Sequence, residues 1–170
     1  MHIVRSIVCF LLFALLEGCQ PQVAPITAES ILQPSKGGDF RGIRIGDKPK
    51  LIKREEEASS VYSMPDELIF RMDPNEADST WYEISYSFNQ DGLNHISLDV
   101  FPQGEDLQEH LFRDFTAYYT QRFGSPKILS NQAEWRGLTM QGHLVTVSLL
   151  KKETSLHPSH LRLIFNESNP

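Results

Sequence analysis

From Trp81 to Phe101 the chain alternates apolar and polar residues with a period of two, interrupted once by Asn89-Gln90-Asp91-Gly92. Tyr82, Ile84, Tyr86 and Phe88 fall on one face of the first run, and Trp81, Glu83, Ser85 and Ser87 on the other. In the second run, from Leu93, the residues Ile96, Leu98 and Val100 oppose His95, Ser97 and Asp99. A period of two belongs to extended strands with one face buried, and the Asp-Gly step suits a tight hairpin turn. The chain is therefore committed to an antiparallel sheet with one face covered.

The remaining pattern supplies more strands and the cover. Glu67–Met72 places Leu68, Phe70 and Met72 on one face. Later strands are expected at Lys127–Trp135, Gly142–Leu150 (His143, Val145, Val147 and Leu149 on one face) and His160–Phe165 (Leu161, Leu163 and Phe165). The clearest helix runs from Glu105 to Phe123, where Leu107, Leu111, Phe115, Tyr118 and Phe123, flanked by Phe112 and Tyr119, form a broad stripe at helical spacing. Glu105, Asp106 and Glu109 suit its N-terminus and Arg122 its C-terminus; Gly124 caps it and Pro126 stops it. A shorter helix is expected over Asp47–Glu57, with Pro49 in its first turn. Its lysines lie first and Glu55-Glu56-Glu57 last, against the macrodipole, so packing must hold it; the glutamates read as a solvated helix end.

The order is α-β-β-β-α-β-β-β, an α+β fold with one antiparallel sheet of about six strands and two helices on one face. It is compatible with a duplicated α-β-β-β unit whose copies join edge to edge, since merging two sheets removes two of four exposed edges. Phe115 is then expected to pack on the face made by Tyr82, Ile84, Tyr86, Ile96 and Leu98.

With 16 Lys and Arg against 22 Asp and Glu the net charge is −6, and no basic run offers the counterion release that drives nucleic-acid binding. No nucleic-acid partner and no cofactor are expected, and nothing in the sequence fixes an oligomeric state. His157-Pro158-Ser159-His160 has a spacing that would share a helix face, but Pro158 opposes a helix and no third ligand is near, so no metal site is assigned. Asp73-Pro74-Asn75-Glu76-Ala77-Asp78 lacks the later ligands and the glycine of a calcium loop and reads as an acidic turn. No Gly-x-Ser-x-Gly elbow or Gly-rich phosphate loop is present, and no catalytic residues are assigned. An enzyme would have to draw on residues scattered along the chain. Trp81 lies on the polar face of its strand, and Trp135 sits between Glu134 and Arg136. Aromatic and Arg residues anchor interfaces, so Trp81, Trp135 and Arg136 are the candidate partner-binding residues. The alternative is that one or both tryptophans fold over an edge of the core.

The first residues carry a different signal. Met1–Arg5 is a short basic start, Ser6–Leu16 an almost unbroken apolar run, and Leu16-Glu17-Gly18-Cys19 closes it. The run is too short to span a bilayer, which takes about 20 apolar residues, but has the form of an export signal. Leu16, Gly18 and Cys19 resemble the lipobox of bacterial lipoprotein signal peptides, with Glu17 where a small or apolar residue is usual. That resemblance implies cleavage after residue 18 and acyl chains, palmitate among them, on Cys19; the alternative is an ordinary secretory signal with an incidental cysteine. The only other cysteine, Cys9, lies inside the signal, so the mature chain would hold no free thiol or disulfide. Asp after the cysteine often marks inner-membrane retention in such lipoproteins, so Gln20 points to the outer membrane, facing the periplasm.

The expected division is a signal peptide at 1–18, a lipidated cysteine and flexible linker at 19–38, one domain at 39–167 and a tail at 168–170. The linker rests on Pro21, Pro25, Pro34 and Lys36-Gly37-Gly38, with few apolar residues to offset ordering; Ile26–Leu32 could instead form a turn of helix on a partner. Phe40-Arg41-Gly42-Ile43-Arg44-Ile45-Gly46-Asp47, leading into a helix, resembles the corresponding segment of the BamE (SmpA/OmlA-type) assembly lipoproteins. Phe123-Gly124-Ser125-Pro126 resembles their helix exit, although here it follows the second helix. A duplicated version of that unit resembles the β-lactamase-inhibitor-protein architecture. The resemblance implies this fold and an envelope location; the expected function is a non-enzymatic module that binds another protein through its sheet face or a sheet edge, the alternative a small-ligand or peptidoglycan-associated binding module.

Overall fold

The computed structural model describes residues 26–56, 61–73, 80–153 and 156–168. Among these residues are three α-helices, α1 (Ala28–Leu32), α2 (Pro49–Glu55) and α3 (Glu105–Phe123). The strands are β1 (Tyr62–Ser63), β2 (Glu67–Met72), β3 (Trp81–Asn89), β4 (Gly92–Phe101), β5 (Lys127–Leu129), β6 (Gln132–Leu138), β7 (Leu144–Lys152) and β8 (His160–Glu167). They form one antiparallel sheet in the order β1-β2-β3-β4-β8-β7-β6-β5. The class is as expected, α+β with a single antiparallel sheet, but with eight strands and three helices among the described residues.

The two extra strands have simple causes. The span 127–135, expected as one strand, turns back at Ser130-Asn131, and β5 pairs with β6 through Lys127↔Glu134 and Leu129↔Gln132. β1 pairs only Tyr62↔Ile69 and Ser63↔Leu68, too short to show a period. The β3–β4 hairpin forms where the Asp-Gly step predicts it, with Asn89↔Gly92 as its last pair and a register shift at Ser87/Phe88. Gly92 has φ +130°, and the backbone of Gly46 and Asp47 lies against it, leaving no room for a Cβ. Gly46 N–H donates to Leu93 O, and Leu93 N–H to Asp47 O, which ties the start of α2 to the hairpin.

Two halves meet at the β4–β8 seam, where Ile96↔Phe165, Leu98↔Leu163 and Val100↔Leu161 continue the buried face. Each half holds a preceding helix, a short edge strand and three longer strands, in mirrored order across the sheet. α3 lies over β6, β7 and β8, with Leu111, Phe115 and Tyr119 fully buried. The expectation puts Phe115 on Tyr82, Ile84, Tyr86, Ile96 and Leu98, whereas the main strand contacts of α3 are with β6, β7 and β8 of its own half. α2 is short, begins at Pro49 without a side-chain cap, and contributes Ile52 to the core.

What completes the first half is the segment expected as a linker. Ile26, Ala28, Ile31 and Leu32 are buried, as are Phe40, Ile43 and Ile45. Thr27 Oγ1 accepts from Ser30 N–H at 3.1 Å and Ser30 Oγ accepts from Thr27 N–H at 3.1 Å, a reciprocal cap that stabilises a helix of one turn. Residues 26–38 therefore belong to the domain: a few apolar side chains per turn suffice when a ready apolar face waits beneath them. The turn of helix contemplated for a partner forms against α3 of its own chain. The signal peptide, Cys19, Gln20, Glu57, the turn at 74–78 and residues 169–170 lie outside the described residues, as do 154–155 of the loop before β8. No helix among the described residues is long and apolar enough to cross a membrane.

Candidate functional site

The uncovered face of the sheet carries an ordered row of rings. Trp81 on β3 and Phe101 on β4 are cross-strand partners and stack at 3.9 Å between centroids, 19° apart in plane. Phe101 in turn stacks on His160 of β8 at 4.6 Å and 15°. On the other side, the Arg71 guanidinium of β2 lies 4.1 Å from the centre of the Trp81 ring. His157 meets the edge of Trp81 at 5.9 Å and lies 4.7 Å from Phe101. Register explains the row: Trp81, Phe101 and His160 share one face by alternation, and the sheet aligns them at one end of neighbouring strands. A cation over a tryptophan face adds about 0.5–1 kcal/mol at an exposed site, and each aromatic pair about 0.5–1.5 kcal/mol beyond its buried area.

Behind the row, Asp99 Oδ1 accepts from Arg162 Nε at 2.5 Å and lies 2.6 Å from His160 Nε2. His160 is buried; burial lowers its pKa below the ordinary 6.5, against the opposing pull of Asp99, with Arg162 and Lys152 adding to the lowering. Its Nδ1 is buried with no hydrogen-bond partner among the described residues, while its carbonyl accepts from Gln108 Nε2 at 3.1 Å. Ser97 Oγ donates to Asp99 Oδ2 at 3.4 Å. The acid thus stands between serine and histidine, so His160 is not placed to take the proton of Ser97 as a nucleophile's base must be.

A second polar cluster is buried under the covered face. Arg41 Nε and Nη2 donate to the Glu56 carboxylate at 3.0–3.2 Å, and Arg41 Nη1 to the carbonyl of Ile31 in α1. Tyr86 donates its hydroxyl to Glu56. Both ends of the ion pair are nearly inaccessible. Burial opposes the charge on Arg41, but the adjacent Glu56 carboxylate raises its pKa overall. Burial, with Glu56 reinforcing it, raises the Tyr86 hydroxyl well above 10, so it stays protonated and donates. Arg41 has φ +52° beside Gly42 at φ +84°, in a two-residue turn closed by paired bonds between Phe40 and Ile43. A left-handed residue other than glycine costs about 1–2 kcal/mol; here that conformation aims the guanidinium inward. This cluster joins α1, the residue after α2 and β3, a structural role.

The sequence-predicted residues separate. Trp81 is half-buried on the open face, with one ring face under Arg71 and the other on Phe101. Trp135 is not a surface residue: it is 2% exposed and packs against Tyr119, because β6 alternates Ala133, Trp135 and Gly137 toward the helix. Arg136 points the other way, 75% exposed, with Glu134 at 3.6 Å. Trp135 and Arg136 therefore cannot meet one partner together. Glu56, expected at a solvated helix end, is buried; its i,i+4 spacing from Ile52 was the signal, since it puts both on one helical face. Among the described residues no group of three or more metal-ligating side chains gathers. A groove of about 450 Å³ opens beside the start of α3, between Glu105, Asp106 and Glu109 on one side and Lys151 and Glu153 on the other. No protein-family model matches the chain, and no curated protein or solved structure matches it significantly.

Proposed function

We propose that the chain is a bacterial envelope lipoprotein, anchored through acyl chains on Cys19, that acts without catalysis as a protein-binding or assembly module. The observation that carries the binding role is the uncovered sheet face with its Arg71–Trp81–Phe101–His160 row. Among the described residues no helix or strand is shown packed on it, only His157 of the segment before β8 lies against Trp81 and Phe101, and it brings rigid aromatic side chains and arginine together, the residue types that anchor interfaces. The pre-stacked rings lose little entropy on docking. The lipobox resemblance of Leu16–Cys19 supports the anchor, and Gln20 the outer membrane.

Two experiments test the reading. Cys19→Ser removes the thiol that accepts the acyl chain, so metabolic labelling with a palmitate analogue is expected to vanish; label retained on the serine variant refutes the anchor. A photo-crosslinker at Ser85, on the open face, is expected to capture a distinct envelope protein, and Trp81→Ala to lose that capture in a variant that still folds, with a thermal midpoint lowered by the loss of the Phe101 stack and the Arg71 contact. Absence of any specific adduct overturns the binding role.

A second reading, a small-ligand or peptidoglycan-associated binding module, draws on the groove beside α3. Glu109 is paired there with Lys151, and the remaining carboxylates Glu105, Asp106 and Glu153 suit a cationic ligand. A thermal-shift screen of envelope metabolites separates the two, because a ligand that binds only the folded state raises its melting temperature.

A further inference from the structure

β5 covers only the first part of β6. In an antiparallel ladder the N–H and C=O of one residue point the same way, and successive residues alternate. Lys151 N–H donates to Asn131 O and Thr139 N–H to His143 O, so odd-numbered residues of β6 face β7. The even-numbered residues face outward, where Gln132 pairs with Leu129 and Glu134 with Lys127. Beyond that point Arg136 and Leu138 have no strand beside them among the described residues, and no backbone hydrogen bond reaches them from Gly124–Pro126. Two N–H donors and two C=O acceptors thus line an open slot three residues long, closed by β5 at one end and by the Thr139–Gly142 turn at the other.

The slot is bordered by apolar side chains. Leu138 is 65% and Met140 73% exposed, and Leu144, the cross-strand partner of Leu138, is also exposed. Exposed edges that combine free backbone with apolar side chains are what soluble proteins avoid unless the edge is used.

We propose that β6 is the seam of a homodimer, in which a second copy of this chain adds its own Arg136–Leu138 segment antiparallel about a two-fold axis through Gly137. The segment is complementary to itself. With Gly137 opposite Gly137, Arg136 of each copy pairs with Leu138 of the other, and all four outward groups on both sides are satisfied. Gly137 brings no side chain to the axis; on the covered face it lies under the ring of Phe123, where a Cβ would collide. The two Phe123 rings then approach each other across the axis. On the open face Leu138 of each copy meets the aliphatic stem of Arg136 of the other, next to Leu144. Such an isologous, closed contact ends the sheet's growth and leaves no repeating edge. The dimer uses the edge farthest from β1 and leaves the Trp81 row free, so it stands independently of the function proposed above.

The test uses the full chain in the envelope, with a photo-crosslinker at position 138 or, as control, at Leu156, which is 84% exposed at the start of the segment before β8. Position 138 is expected to give an adduct of twice the chain's mass and position 156 none. Arg136→Pro removes an outward donor while leaving the ladder to β7 intact, the one strand setting where proline is tolerated, and is expected to abolish the adduct. Leu138→Lys, with the crosslinker moved to Arg136, repeats the test by placing a charge at the seam in case the proline variant does not fold. A heterologous adduct from 138, no adduct, or a dimer adduct that persists in a folded variant overturns the proposal. Capture at Ser85 is expected to survive both variants, so the dimer and the partner-binding role can fail separately.

Discussion

The two halves of the sheet solve the same problem with different means. The second, β5–β8, is covered by a helix of 19 residues that buries Leu111, Phe115 and Tyr119 over Trp135, Val147 and Phe165. The first, β1–β4, has a preceding helix of only 7 residues, which gives the core Ile52. Its cover is made up by the chain upstream: Ile26, Ile31 and Leu32, then Phe40, Ile43 and Ile45, held by the Arg41–Glu56–Tyr86 cluster. The aromatic half leaves Tyr119 OH and Trp135 Nε1 buried without partners among the described residues, whereas the polar half gives Tyr86 OH an acceptor. A sheet face must be covered, and where the helix is short the chain before it is drawn into the core.

The largest effects should be similar in size in the two halves and opposite in origin. In the aromatic half, Phe115→Ala empties a fully buried site and should cost about 3–5 kcal/mol; chemical denaturation measures it, and a loss under about 1 kcal/mol would remove α3 from the core. In the polar half, Arg41→Met strands the Glu56 carboxylate in the interior and should also cost about 3–5 kcal/mol. The second substitution Glu56→Met should restore much of that loss, because an apolar pair of similar volume often replaces a buried ion pair at little net cost. No comparable rescue exists for Phe115. A double variant no more stable than Arg41→Met would show that the cluster supplies the cover through hydrogen bonds that methionine cannot mimic.

The same contrast explains what could be read from the sequence. Helix α3 is legible to its end residues because a long apolar stripe, acidic first turn and Gly-x-Pro exit agree. Strands β2, β3, β4 and β8 are legible because alternation runs through six or more residues in each. The first half's cover is not, because composition averages over it: Pro and Gly between Gln20 and Gly38 outweigh the few apolar residues that dock. Glu56 is hidden for the same reason, as one of three glutamates of which helical phase buries one. For the candidate site, alternation put Trp81 on the open face, but its ring partners lie 10 to 79 residues away and only the register of four strands brings them together. The charged neighbours of Trp135 favour a surface place for it, although the same alternation that places Arg136 outward turns Trp135 inward.

Whether the upstream segment is cover or tether is decided by a smaller effect. Ile31 is 1% exposed on α1, so Ile31→Ala should lower stability by about 2–4 kcal/mol, a loss set by how far the one-turn helix can settle into the vacated space. Its neighbour Glu29, exposed on the same turn, should tolerate alanine within about 0.5 kcal/mol. Equal denaturation midpoints for Ile31→Ala and the parent would return residues 26–38 to the role of a leash and leave the first half with α2 alone.

The smallest expected effect lies at the β4–β8 seam, which belongs to both halves. His160 is buried there against Phe101, with Asp99, Arg162 and Lys152 as its charged neighbours. Burial depresses its pKa in the folded protein below 6.5, so near pH 6 the unfolded chain binds more protons at this residue than the folded one does. Stability then rises with pH wherever the unfolded state holds the extra proton. The contribution is complete above about 6.5, the unfolded value, and is lost as the pH falls from there through the folded pKa. Denaturant midpoints of the parent and of His160→Gln, measured from pH 8 to pH 5, isolate it, since every carboxylate except Asp99, which His160 touches, acts on both proteins alike. The difference between the two should shrink as the solution is acidified. A difference that grows on acidification would mean that Asp99 outweighs burial and holds His160 as the cation, making the seam an ion pair like Arg41–Glu56 and not an extension of the aromatic core.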